Sequence, residues 1–190
     1  MKVQYYTAVS LDGYIADENH SLDWLFQFDA DKESTYPEFI KNVGALAMGS
    51  STYEYILKNY IYQDPNNPKD WPHREPTYVF TSRQFDPLPD ANIHFVKGDV
   101  RPVYDKMKQA AEGKNIWIAG GGGLAAQFYE AGLLNELMLT LTPVILGKGA
   151  SLFEGKIISP PLQATHVKLQ DCGLIELNFY IPQTNSFFEE

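Results

Sequence analysis

A run of four glycines at residues 120–123 constrains the fold of this chain more than any other feature of its sequence. The run follows a short apolar stretch at residues 116–118, which is typical of a strand, and precedes a helical pattern over residues 124–131. Glycine lets the backbone approach a ligand closely, and the first turn of a helix offers free N–H groups and a positive dipole end. The sequence therefore predicts an anion-binding turn, with a tight turn that needs a left-handed backbone as the simpler alternative. The predicted site comprises Gly120, Gly121, Gly122, Gly123 and Leu124.

Two polar clusters also follow predicted strands. They are Gly49, Ser50, Ser51 and Thr52 in the first case, and Thr81, Ser82 and Arg83 in the second. Hydroxyls at a helix start bond phosphate oxygens as well as capping the helix, and a guanidinium suits a terminal phosphate such as the 2′-phosphate that separates NADP from NAD. A plain helix cap and a solvated strand end are the alternatives. Two helix starts together fit a pyrophosphate better than either does alone.

Hydrophobic periodicity predicts strands that alternate with helices along the chain. The predicted strands cover residues 3–9, 45–48, 77–81, 93–96, 115–119, 136–142, 163–169 and 173–180. The predicted helices cover residues 32–42, 50–58, 102–111 and 124–131, and residues 62–76 are expected to form a long loop. This order predicts an α/β fold with a mostly parallel sheet, an antiparallel finish, and ligands at the carboxyl ends of the strands.

Length and charge narrow the class of protein. A chain of 190 residues suits a single domain over residues 1–190, and a net charge of −9 argues against a nucleic-acid partner. The sequence contains neither a bilayer-spanning apolar run nor the apolar stretch of a signal peptide, so no membrane partner is expected. The single cysteine, Cys172, excludes an intramolecular disulfide and fits a cytoplasmic protein, and the four histidines lack the spacing of a metal site.

The order of these motifs resembles the dihydrofolate reductase superfamily, and most closely the RibD C-terminal-like family, the reductase domain of bacterial riboflavin biosynthesis. The resemblance covers roughly residues 3–180. It is carried by residues 8–16, 23–25, 48–54, 81–83, 120–123 and 135–153. The segment from Pro143 to Phe153, with Gly147 and Gly149, is especially similar to the riboflavin branch.

The resemblance implies a dihydrofolate reductase-like three-layer fold, with a mostly parallel central sheet, antiparallel C-terminal strands and helices on both faces. It also implies that NADPH lies across the strand ends. Ala8, Ile15 and Ala16 would border the nicotinamide, Gly49, Ser50, Ser51 and Thr52 would hold the pyrophosphate, and Ser82 and Arg83 would meet the 2′-phosphate. On the other side of the cofactor, Gly121, Gly122, Gly123 and Leu124 would pack against it.

The chain also departs from the superfamily. Dihydrofolate reductases carry an acid on their first long helix, and here Thr35 or Tyr36 falls near that position, with Asp31 and Glu33 close by in sequence. A neutral residue there would weaken pterin binding, which argues against true folate reduction. Among the candidate catalytic residues, Thr140 matches the threonine that lines the substrate ring.

The other candidates lie in the first loops. Asp12 and Asp23 match positions in or beside the mobile loop near the nicotinamide, although both also suit a turn. Trp24 is expected to close the site, and Phe26 and Phe28 either face a planar substrate or pack in the core.

The resulting hypothesis is an NADPH-dependent reductase that transfers hydride to a small heterocyclic or ribosylaminopyrimidine-like substrate. A riboflavin-pathway reductase proper, a non-catalytic dinucleotide sensor and an FMN-binding protein stay open as alternatives. The apolar residues 140–145 and the closing strands further predict a homodimer with two-fold symmetry.

Overall fold

The computed structural model describes residues 1–29 and 34–182 of the chain. The strands are β1 Val3–Ser10, β2 Tyr14–Asp17, β3 Val43–Gly49, β4 Thr77–Phe80, β5 Ile93–Val96, β6 Asn115–Gly120, β7 Glu136–Thr142, β8 Gly149–Ser151, β9 Gln163–Leu169 and β10 Ile175–Tyr180. The helices are α1 Tyr36–Lys41, α2 Ser50–Ile56, α3 Val100–Ala110 and α4 Gly122–Glu130, and a π-helical turn, Leu57–Ile61, continues α2.

Eight of these strands form one sheet in the order β5-β4-β3-β6-β1-β7-β10-β9. The six strands from β5 to β7 are parallel, whereas β10 is antiparallel to both β7 and β9. Residues 43–48 of β3 are all buried, as expected for a parallel strand covered on both faces. The predicted fold class, a mostly parallel sheet with antiparallel C-terminal strands, is confirmed.

Alternate side chains of the central strands enter two different cores, so the molecule has three layers. On β6, Ile116 and Ile118 pack in the core that also contains Met107 of α3 and Phe128 of α4. Trp117, the residue between them, packs on the opposite face with residues of α1 and α2. The sheet is therefore held between α3 and α4 on one side and α1 and α2 on the other.

Several element boundaries differ from those predicted. Helix α1 begins at Tyr36, and residues 32 and 33 of the predicted helix lie outside the described residues. Helix α4 begins at Gly122, inside the glycine run, because packing at its first turn offsets the conformational cost of glycine. The antiparallel ribbon of β2 and β8 was not predicted, since each strand is short and pairs with a segment far along the chain.

The position of β7 corrects one part of the predicted dimer interface. β7 is hydrogen-bonded to β1 on one side and to β10 on the other, so it has no free edge with which to pair across a two-fold axis. The outermost strand on this side is β9, whose seven residues are all exposed. The homodimer itself stays a prediction. Within the described ranges, none of the helices combines the length and apolar character needed to cross a bilayer.

Gly44 of β3 marks a close contact between the sheet and the end of α3. A Cβ at this position would lie 2.8 Å from the Cα of Ala111, a backbone atom that cannot rotate away. We expect Gly44→Ala to lower the free energy of unfolding by about 1–3 kcal/mol through overpacking. Gly49→Ala is the matched control on the same strand, where a Cβ would meet open space, and should cost less than about 1 kcal/mol. Equal denaturant midpoints for the two variants would contradict this account.

Candidate functional site

Two adjoining cavities open at the carboxyl ends of the central parallel strands. The larger, of about 510 Å³, is called here the aromatic cavity, and its lining includes Tyr6, Phe26, Phe28, Trp117 and Thr140. The smaller, of about 270 Å³, is called the glycine cavity, and its lining includes Ser51, Thr52, Gly120, Gly121 and Gly122. They share a wall formed by Thr7, Ile15, Leu22 and Ala119. This is the place where open α/β sheets bind ligands.

The glycine cavity brings together residues of two strand-to-helix turns. Gly121 precedes α4 with φ +98°, in the left-handed region that glycine adopts readily. Gly122 lies against the backbone of the segment after β8, where a Cβ would come within 2.8 Å of the carbonyl oxygen of Leu152. Ser51 and Thr52 line the same cavity from the first turn of α2. The two predicted anion-binding turns are therefore neighbours in space.

Arg83 connects the third predicted cluster to the second. Its Nη2 donates to Ser50 Oγ at 2.6 Å, and its Nη1 donates to Glu54 Oε1 at 2.6 Å. The backbone N–H of Arg83 donates to the Thr81 hydroxyl, which fixes the turn after β4. The guanidinium is thus held at the start of α2 by Ser50 and Glu54, with half of its side chain exposed.

Two acidic residues that the sequence did not single out line the cavities. Glu154 lines the glycine cavity, and its Oε2 would lie 2.8 Å from a Cβ at Gly123. Asp29 lines the aromatic cavity. Their only signal in the sequence is proximity to recognised motifs, because the folding of two loops determines where these carboxylates point.

The wall of the aromatic cavity is built from stacked rings. Tyr6 stacks on Phe39 with ring centroids 4.5 Å apart, and Trp117 packs edge-on against Phe39 at 5.5 Å. The Trp117 indole N–H donates to the Tyr6 carbonyl oxygen at 3.0 Å, which joins β6 to β1. Such a wall suits a flat ring, because aromatic faces stack on planar heterocycles.

A row of polar groups leads from this cavity to a buried acid. Tyr6 and Thr140 line the cavity, and beyond them Thr35 Oγ1 donates to Glu176 Oε1 at 2.8 Å. Glu176 is only 5% exposed and also accepts from Gln170 Nε2 at 2.9 Å. Burial raises the pKa of Tyr6 above its ordinary value, and the nearby Thr35 and Thr140 hydroxyls offset this only in part, so Tyr6 keeps its proton at neutral pH. Thr35 immediately precedes α1, and its contact with the buried Glu176 was not predicted from the sequence.

The structure places two predicted site residues, Leu124 and Trp24, outside the lining of both cavities. Leu124 is 6% exposed and packs in the core beneath α4, so it does not present its side chain to a cofactor. Trp24 donates its indole N–H to the Ser21 carbonyl oxygen, while its neighbours Leu25 and Phe26 contribute to the cavity lining. Asp31 and Glu33 lie outside the described residues.

Asp12 serves as a clamp between two loops. It accepts hydrogen bonds from Ser10 Oγ at 2.7 Å, from Leu146 N at 3.1 Å and from Gly147 N at 2.7 Å. Desolvation raises the pKa of Asp12, but these donors together outweigh it and hold the pKa below its ordinary value. A carboxylate engaged by three donors fits the alternative prediction for Asp12, a turn residue, and does not fit a proton donor.

A central sheet between two helical layers, with joined cavities at the strand ends, defines the class of protein as an α/β reductase-type fold like that of dihydrofolate reductase. The chain belongs to the RibD C-terminal domain family, whose model matches residues 1–175. It is 36% identical over 155 residues to YwjB, an uncharacterized protein of Bacillus subtilis strain 168, covering 80% of this chain and 82% of that one. Another uncharacterized protein of the same strain, YyaP, is 31% identical over 180 residues, covering 91% of each chain.

Solved structures agree with this assignment. A protein of Shewanella sp. PV-4 assigned to riboflavin biosynthesis superposes with a TM-score of 0.78 at 25% identity, covering 96% of this chain and 99% of the other. A diaminohydroxyphosphoribosylaminopyrimidine deaminase/5-amino-6-(5-phosphoribosylamino)uracil reductase of Thermotoga maritima superposes with a TM-score of 0.66 at 17% identity. This match covers 95% of this chain and 56% of that protein, and shows a shared fold.

The Asp12 clamp predicts an effect of pH on stability. Because the folded-state pKa is lowered, the stabilisation is present above the ordinary carboxyl pKa and is lost as the pH falls through the folded value, below about pH 4. We expect Asp12→Asn to lower the melting temperature by a few degrees at pH 7. It should also reduce the loss of stability between about pH 5 and about pH 3, the range in which carboxyl groups titrate. Asp105→Asn, at an exposed position on α3, is the control. Parallel pH profiles for wild type and Asp12→Asn would argue against the clamp.

Proposed function

We propose that this chain is an NADPH-dependent reductase that transfers hydride to a small, planar heterocycle. The observation that carries the proposal is the pair of joined cavities, one lined by helix starts and hydroxyls, the other by aromatic rings and Thr140. A dinucleotide matches these two cavities, because its diphosphate suits the helix starts and its flat reactive ring suits the aromatic rings. The shared wall at Ile15 and Ala119 is where the two rings would meet.

The residues of the glycine cavity fit the cofactor. Backbone N–H groups at Gly121 and Gly122, with the hydroxyls of Ser51 and Thr52, would hold the diphosphate. Arg83, Ser82 and Thr81 would hold the 2′-phosphate, and the existing contact between Arg83 and Ser50 shows that the guanidinium reaches the start of α2. Glu154 adds negative charge to the cavity, so it would face a ribose hydroxyl and not a phosphate.

When bound, the reduced nicotinamide supplies the hydride, and the protein supplies orientation and exclusion of water. Ala8, Ile15 and Ala16 would border the nicotinamide, since Ala8 and Ile15 line the aromatic cavity and Ile15 and Ala16 line the glycine cavity. The rings of Tyr6 and Trp117 would hold the substrate flat beside it. Thr140 would hydrogen-bond the edge of the substrate.

The substrate class follows from the resemblance. The motif order places Thr35 or Tyr36 near the position where dihydrofolate reductases carry a carboxylate, and a neutral residue there would favour a heterocycle other than dihydrofolate, such as a ribosylaminopyrimidine. A non-catalytic dinucleotide sensor is the second candidate, favoured by the engagement of Asp12 in a loop clamp. Single-turnover oxidation of NADPH with a panel of aminopyrimidines separates the two, because a sensor binds the cofactor without consuming it.

The first test is a titration of the purified protein with NADPH and with NADH. We expect NADPH to change the tryptophan fluorescence, since Trp117 lines the aromatic cavity, and to raise the melting temperature, with a stabilisation of about 2.7 kcal/mol at a hundredfold excess over the dissociation constant. NADH should bind more weakly, since it lacks the phosphate that Arg83 would meet. Absence of binding by both nucleotides would refute the proposal.

Arg83→Ala tests the assignment of the 2′-phosphate. Loss of a charge-assisted hydrogen bond should weaken NADPH binding by roughly tenfold to a hundredfold, while NADH binding should change by less than about threefold. Arg74→Ala is the matched control, because Arg74 is also exposed and lies just before β4, at the opposite end of the strand. Equal losses for the two nucleotides would show that Arg83 acts on something other than the 2′-phosphate.

A further inference from the structure

A third cavity, of about 440 Å³, lies between α1 and the antiparallel end of the sheet, and is called here the polar cavity. It is on the same face of the sheet as the aromatic cavity but nearer the amino ends of the parallel strands. Gln4 and Met138 line it, two residues before Tyr6 and Thr140 on β1 and β7. Among the described residues, the two cavities share no lining side chain. The polar cavity is therefore a space that the proposed function does not use.

Glu176 lies in the wall of the polar cavity with its carboxylate only partly engaged. It is 5% exposed, and its Oε1 accepts hydrogen bonds from Thr35 Oγ1 at 2.8 Å and from Gln170 Nε2 at 2.9 Å. Its Oε2 lies 3.8 Å from Nε2 of His166, which also lines the cavity, and this distance is too long for a hydrogen bond. Within the described part of the chain, no donor is hydrogen-bonded to Oε2. A carboxylate this far out of water is costly unless it is paired and hydrogen-bonded.

The rest of the lining offers acceptors and negative charge. Asn42 Nδ2 donates to the Glu38 carbonyl oxygen, so the Asn42 amide oxygen remains as an acceptor. Gln4 Oε1 is buried without a hydrogen-bond partner in the described residues, and it adds partial negative charge behind the wall. The described lining includes the carboxylates of Glu38 and Glu176 but no lysine or arginine. Lys168 lies opposite Glu176 in the pairing of β10 with β9, outside this lining. The cavity therefore favours a ligand that brings donors and positive charge.

We infer that the polar cavity binds a small organic cation, an alkylammonium or alkylguanidinium group whose N–H donors engage Glu176 Oε2. Such a group supplies both the donor and the charge that this oxygen lacks, and hydrogen bonds between ionised partners are the strong ones. Phe39 and Met138 line the same cavity and provide apolar surface for the alkyl stem. A metal ion fits less well, because the described residues contain no group of three or more His, Cys, Asp or Glu side chains that could hold one.

The experiment measures binding of two matched probes, butylguanidinium and butylurea, to the full chain by isothermal titration calorimetry. The two molecules have nearly the same shape, but only the guanidinium group is charged. We expect the wild-type protein to bind butylguanidinium roughly tenfold more tightly than butylurea. Glu176→Gln keeps the size of the side chain and removes its charge, so it should reduce this ratio to about threefold or less.

Two further variants locate the cation. Glu38→Gln makes the same substitution at the other acid of the lining, whose exposed carboxylate is paired with Lys41, and it should change the affinity for butylguanidinium by less than about twofold. Asn178→Arg places a tethered guanidinium on the same strand face as Glu176, two residues along β10. It should abolish butylguanidinium binding and raise the melting temperature by a few degrees, because the new charge pairs with Glu176.

The outcomes separate this inference from a structural effect and from the proposed function. Equal affinity of the wild-type protein for the two probes would overturn the inference, as would an unchanged ratio in Glu176→Gln. Undiminished binding of butylguanidinium to Asn178→Arg would place the cation elsewhere and would also overturn it. If Glu176→Gln fails to fold, the result for Asn178→Arg decides by itself. Failure of the wild-type protein to bind NADPH would refute the reductase proposal and leave this inference standing, because the cavities are separate.

Discussion

The start of α4 can pack where it does only because Gly122 carries no side chain. The carbonyl oxygen of Leu152 occupies the space that a Cβ would need, and the Leu152 N–H donates to the carbonyl of Gly13 at 2.9 Å. A second backbone bond, from Leu11 N to Val144 O at 2.8 Å, ties the first loop to the segment between β7 and β8. The glycine turn, the first loop and the β2–β8 ribbon thus form one wall, and the glycine cavity exists because this wall closes against α2.

Regular packing was well predicted from the sequence, because it depends on patterns within a few residues. The alternation of Ile116, Trp117 and Ile118 places neighbouring side chains in opposite cores, as a strand between two helical layers requires. The β2–β8 ribbon was missed because its pairing of Tyr14 with Ser151 is a long-range event that no local pattern encodes. The early start of α4 was missed for the same reason, since the packing that stabilises it comes from another part of the chain.

The site divides along similar lines. The glycines and hydroxyls of the glycine cavity were predictable, because residues that follow parallel strands meet at one edge of the sheet. The position of Glu176 was not predictable, because it depends on strand register. Glu176 lies opposite Thr140 in the pairing of β10 with β7 and accepts a hydrogen bond from Thr35. Asp12 was recognised as notable, yet its partners Leu146 and Gly147 lie in a loop whose path only the folded chain reveals.

Four residues belong to both cavities, namely Thr7, Ile15, Leu22 and Ala119. A ligand that shifts or stiffens this partition changes the free energy of filling the space on its other side. By thermodynamic reciprocity, the second ligand alters the affinity of the first by the same factor. Whatever the order in which two ligands enter, the coupling free energy between them is a single quantity that belongs to the partition.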